Sequence, residues 1–106
     1  MQKIIWLFYD LGLHGDYEGL YAWLDQHKAK ECGDGLAFIS YEYEDDVIEH
    51  VKKNLQESVR LGPKDRIYLI YGTAEGKQKG RFLFGKRKQA PWAGYAIGST
   101  ETVDEE

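Results

Sequence analysis

An aspartate at the end of an apolar run and a basic stretch near the C-terminus are the residues of this sequence best suited to chemistry. Asp10 closes the run Ile-Ile-Trp-Leu-Phe-Tyr and opens a loop that contains Gly12 and Gly15. A carboxylate in that place stands at a sheet edge, where ligands of α/β layers often bind. His14 and Asp16 follow at once. Asp10 with Asp16, or Asp10 with its copy in a second chain, is therefore a candidate site for a hard divalent cation. The competing role for Asp10 is to accept backbone N–H groups within its own loop.

The second candidate lies between Gly76 and Ala90. Lys77, Lys79, Arg81, Lys86, Arg87 and Lys88 fall there with no acid among them, in a chain whose net charge is −4. Lys77, Lys79 and Arg81 alternate, so on a strand they share a face, with Phe82 and Phe84 expected on the opposite, core face. Such a stripe suits a run of phosphates, and these six residues are the candidate nucleic-acid contacts. The competing role is a solvated edge strand, whose lysines discourage another strand from pairing.

The remaining reactive residues have no partners at catalytic or ligand spacing. His27 and His50 read as surface residues or caps. Cys32 is the single cysteine, which rules out an intrachain disulfide, fits a reducing cytoplasm, and reads as a small buried apolar residue. No nucleophile elbow, phosphate loop, dinucleotide fingerprint or paired-histidine zinc motif is present.

Seven elements are needed to hold these residues. Residues 3–10 are nearly continuous in apolar character and form a first strand. Asp16 caps a helix whose face is drawn by Tyr17, Leu20, Tyr21, Leu24 and Lys28. A short strand over 29–32 and the turn Gly33-Asp34-Gly35 lead into a strand over 36–43, with Ala37, Ile39, Tyr41 and Tyr43 on one face. Asp46 and Glu49 form a capping box for a second helix with the stripe Ile48, Val51, Leu55 and Val59, ending near Leu61 before Gly62-Pro63. Strands over 66–71 and 79–84 follow.

This order predicts an α+β fold, a ferredoxin-like two-layer sandwich (βαββαβ plus an extra C-terminal strand) with two helices on one face of an antiparallel sheet. A length of 106 residues fits one domain. We expect it to span residues 1–97, followed by an acidic, disordered tail over 98–106. No apolar run approaches the ~18 residues that span a bilayer, and no small-residue cleavage site follows the first strand, so a cytoplasmic protein without a membrane partner is expected.

The segment Trp6-Leu7-Phe8-Tyr9-Asp10-Leu11 resembles the first strand of the small CRISPR-associated spacer-integration subunit and its VapD-like and SinR-like relatives. The helix pattern Tyr17-x-x-Leu20-x-x-x-Leu24, the strand Leu36-Ala37-Phe38-Ile39 and the strand Asp65-Arg66-Ile67-Tyr68-Leu69-Ile70 extend the resemblance over roughly residues 4–84. It implies a ferredoxin-like homodimer. In some members the aspartate matching Asp10 pairs across the dimer cleft, holds Mg²⁺ or Mn²⁺ and serves phosphodiester cleavage. Members that bind nucleic acid often carry arginines after this aspartate, whereas the loop here reads Leu-Gly-Leu-His-Gly-Asp. Three functions follow as expectations: a dimeric binding module for nucleic acid or another protein, a metal-dependent nuclease with Asp10 as catalytic ligand, and a small-ligand sensor, which a pocket lined by aromatics beside the first strand would favour.

Overall fold

Alternation of side chains along β1 (Gln2–Asp10) sets the two sides of the molecule. Ile5 and Leu7 point into the core, while Ile4 and Phe8 are each 40% exposed on the other side. The computed structural model describes residues 1–96; the acidic tail expected from position 98 lies outside the described residues. The elements after β1 are α1 (Tyr17–Gln26), β2 (Lys30–Glu31), β3 (Leu36–Glu42), α2 (Val47–Ser58), β4 (Arg66–Gly72) and β5 (Gln78–Phe84). The five strands form one sheet in the order β2-β3-β1-β4-β5, and every neighbouring pair is antiparallel. This is the α+β, two-layer arrangement expected from the sequence. No helix among the described residues is long and apolar enough to cross a membrane.

The core lies between the sheet and the helices. Leu20, Trp23 and Leu24 of α1 and Val47, Val51 and Leu55 of α2 close over Ile5, Leu7, Ala37, Ile39, Tyr41, Ile67 and Leu69. The α1 face therefore differs from the expected one. Trp23 is buried, Tyr17 and Tyr21 are exposed, and Lys28 lies beyond the helix with a left-handed φ of 56°. The indole explains the rotation: its Nε1–H donates to Asn54 Oδ1 of α2 at 2.6 Å, so the widest side chain of α1 is satisfied only against its neighbouring helix.

The N-cap residues are the expected ones, Asp16 and Asp46, though no bond from Glu49 back to Asp46 completes a capping box among the described residues. Asp16 accepts from the Gly19 N–H and Asp46 from the Ile48 N–H. The end of α2 differs from the expected one: the helix stops at Ser58, before Leu61. The Arg60 N–H donates to Asp16 Oδ2 at 2.9 Å, so the chain leaves the helix to tie its end to the start of α1. Cys32 is exposed, contrary to expectation. It follows the two-residue edge strand β2, where nothing covers it.

The last strand carries the largest correction. Ile67 pairs with Phe84 but Tyr68 pairs with Phe82, a bulge that leaves Leu83 as the extra residue. Leu83 is buried and Phe84 packs against the core beside it, with Lys52 of α2 over its ring. Phe82 lies on the opposite side, edge-to-face with Tyr68 at 4.8 Å. The two phenylalanines expected on one face are thus separated.

Candidate functional site

The end of β1 is held by the β2–β3 turn on one side and β4 on the other. Gly35, at φ +80°, brings its carbonyl to the Tyr9 N–H at 2.8 Å; a Cβ there would stand 2.9 Å from the Tyr9 carbonyl. Only glycine permits this approach in that conformation. It fixes the β2–β3 turn, with Asp34, beside Tyr9 and Asp10.

Asp10 pairs across the sheet with Arg66. Its Oδ2 accepts from the Arg66 guanidinium at 2.6 Å, with the carboxylate 61% exposed. The loop after it is held by a different carboxylate. Asp65, buried to 5% exposure, accepts from the Gly12 N–H and the Gly62 N–H, each at 2.7 Å. The loop-holding role open to Asp10 in the sequence belongs to Asp65. In the sequence Asp65 figures only as the start of the strand Asp65-Arg66-Ile67-Tyr68-Leu69-Ile70, with no sign of this role.

Asp16 is committed to structure. Besides capping α1, it sits 3.6 Å from the Arg60 guanidinium. The backbone N–H groups of Arg60 and Gly19 hold its carboxyl below the ordinary range; burial opposes them, and the Arg60 charge adds the smallest lowering. Asp10 and Asp16 border different clefts. Asp10 lines one of about 810 Å³ with Tyr9, Tyr17 and Tyr21 and one of about 310 Å³ with Phe8, Arg66 and Tyr68. Asp16 lines a third, of about 650 Å³, with Arg60 and Asp65. Among the described residues no group of three or more His, Cys, Asp or Glu side chains comes together to hold a metal ion. Both oxygens of Asp16 and Oδ2 of Asp10 already accept hydrogen bonds, and the two carboxylates are not brought to one cleft.

Of the six cations, Lys79 and Arg81 lie on one side of the sheet and Arg87 on the other. Lys79 and Arg81 oppose Tyr71 and Leu69, which places them on the helix side, where both are exposed. Lys77 precedes β5, and its N–H donates to Thr73 Oγ1 at 3.2 Å in the turn. After Gly85, at φ +81°, the chain turns and brings Arg87 to the open side. Its guanidinium lies 5.5 Å from the Phe82 centroid and 5.9 Å from that of Tyr68. Lys86 and Lys88 flank it and are exposed. The bulge and this turn make the division, and neither is visible in the alternation of residue types.

The open side of the sheet was not anticipated as a surface. Ile4, Trp6, Phe8, Leu36, Phe38, Tyr68, Ile70 and Phe82 follow from the strand registers as its occupants. Trp6 meets Phe38 edge-on at 5.5 Å, and Phe8 meets Tyr68 at 6.4 Å. The alternation of β1, β3 and β4 already encoded it, because each carries apolar residues at both phases. Comparison with protein-family models, with curated proteins and with solved structures gives no match. The resemblance to the CRISPR-associated family therefore rests on the sequence pattern alone.

Proposed function

We propose that the chain is a dimeric, ferredoxin-like binding module that contacts nucleic acid through its basic C-terminal strand and the loop after it. The observation that carries this reading is the open side of the sheet: an apolar surface across four strands, with Arg87 of the basic segment over Phe82 and Tyr68 at its β5 border. The strand order supports the ferredoxin-like assignment. β3 lies between β1 and β2, and β1 lies between β3 and β4, as two interleaved βαβ units require, and β5 extends that pattern at one edge. A continuous apolar face on a small domain marks an interaction surface, and a two-fold axis is the commonest way to cover one. Packing two such faces at ~10 Å would leave the basic segments of both chains at the rim.

Six cations in fifteen residues with no acid, within an otherwise acidic chain, match a polyanion and not a random surface. The test is binding of a labelled oligonucleotide across a salt series. A log–log slope of about −0.7 to −0.9 per phosphate contact is expected. Absence of binding at ~50 mM salt would remove nucleic acid as the partner and leave a protein-binding module.

A further inference from the structure

The 810 Å³ cleft beside the end of β1 has features that the basic strand does not share. Three tyrosines line part of its wall. Tyr9 and Tyr21 meet at 6.3 Å with their planes at 76°, and Tyr17 and Tyr21 at 5.5 Å with their planes at 52°. Rings at steep angles enclose a rounded group from more than one side, whereas a flat ligand needs a slot between parallel rings.

The charge around these rings is negative. Glu31 and Asp34 line the cleft, and neither has an ion-pair partner among the described residues. Lys30 is the one cation in the lining. Burial first, then Tyr21 and Tyr17, then Glu31 and Asp34 raise the Tyr9 phenol above its ordinary range; the two carboxylates are the part of that shift that reports the local negative charge. Elsewhere the chain sets its own cations over buried and half-buried rings: Lys3 over Tyr43 and Tyr71, Lys52 over Phe84, Arg87 over Tyr68 and Phe82. Among the described residues no Lys or Arg stands over Tyr9, Tyr17 or Tyr21.

We infer that this cleft binds a small organic cation, an alkylated ammonium carrying an apolar body, held against the faces of Tyr9, Tyr17 and Tyr21 and balanced by Glu31 and Asp34. Cation–π attraction favours an ammonium whose methyl groups reduce its hydration. The cleft exceeds the volume of the head group alone and falls within the range of small-molecule sites. The inference is independent of the nucleic-acid reading.

Choline is the probe, and its neutral isostere 3,3-dimethylbutan-1-ol is the control. Both are titrated into the full chain while the tyrosine ring resonances are followed by NMR. Saturable shifts with choline in the millimolar range and none with the isostere are expected. Tyr21→Leu keeps apolar bulk on an exposed helix position and removes the ring, so it should weaken choline binding by about tenfold. Glu31→Gln with Asp34→Asn should weaken it by about threefold or more. Equal binding of the isostere, undiminished binding to Tyr21→Leu, or no saturable choline shift would overturn the proposal. A trimethyllysine peptide that binds far more tightly than choline would assign the cage to a protein partner and overturn the small-molecule form.

Discussion

The imidazole of His27 lies against the ring of Tyr41, with centroids 5.2 Å apart and planes 28° from parallel. Asn54 Oδ1, which accepts from Trp23, is 3.3 Å from His27 Nε2. An amide oxygen can only accept, so the His27 proton sits on Nε2. Burial lowers the His27 pKa below 6.5, with a smaller contribution from His50, and the Asn54 contact opposes them. The neighbouring Tyr41 phenol, which meets His50 Nδ1 at 2.9 Å, is pushed up to about 12 by burial.

Stability should therefore depend on pH through His27. With the folded pKa below the unfolded one, the unfolded chain binds more protons between the two values. The contribution is complete above the unfolded value of about 6.5 and is lost as pH falls through it, levelling off below the folded pKa. Urea unfolding of the wild type and of His27→Gln from about pH 5 to 8 checks this. The variant should show a flatter dependence in that window, and an unchanged slope would show that His27 does not titrate differently on folding.

Asp65→Ala should cost about 2–3 kcal/mol, because two buried charge-assisted hydrogen bonds are lost and the Gly12 and Gly62 N–H groups are left unpaired. Asp65→Asn keeps an acceptor for one of them and should cost about half as much. Chemical denaturation gives both values. A loss below about 0.5 kcal/mol for the alanine variant would show that water replaces the carboxylate.

Phe8→Glu tests the assembly. The side chain lies on the open side at 40% exposure, so a charge there is tolerated in a single chain but not between two packed sheets. Light scattering should give twice the chain mass for the wild type at micromolar concentration and one chain mass for the variant. A wild type that stays at one chain mass would place the open face in another interaction.

The divided cations predict two separable losses in binding. Replacing Lys77, Lys79 and Arg81 with alanine should flatten the salt slope by about two to three units, and so should replacing Lys86, Arg87 and Lys88. If only the second set matters, the nucleic acid runs along the open side. Asp10→Asn should leave binding intact, since it removes a negative charge near Arg66. With Mg²⁺ or Mn²⁺ the wild type is expected not to cleave RNA or DNA; cleavage abolished by Asp10→Asn would instead establish the nuclease function.

Period-two alternation in β1, β3 and β4, both helix caps and the six-cation segment were legible in the residue order, because each depends on spacing along one element. What the spacing could not show was set between elements. Trp23 turns inward because Asn54 waits on another helix, although Tyr17 and Tyr21 complete an equally regular stripe. Phe82-Leu83-Phe84 reads as plain alternation, and the bulge appears only against Ile67 and Tyr68. The tyrosine cleft needed Tyr9, Tyr17 and Tyr21 from two elements with Glu31 and Asp34 from the following strand and turn. Asp10 was found where expected, at the end of β1, but its partner Arg66 comes from a strand far along the chain.

The Asp65–Gly12 bond also bears on the order in which the chain assembles. It joins residues 53 positions apart, across a closure that β1 and β4 must make first by pairing. A contact of this kind gains its stability only after most of the loop-closure entropy has been spent. It should be absent from the folding transition state. Asp65→Ala would then leave the refolding rate nearly unchanged and accelerate unfolding by almost the whole of its destabilisation, making this loop clasp a determinant of how long the native state lasts and not of how fast it forms.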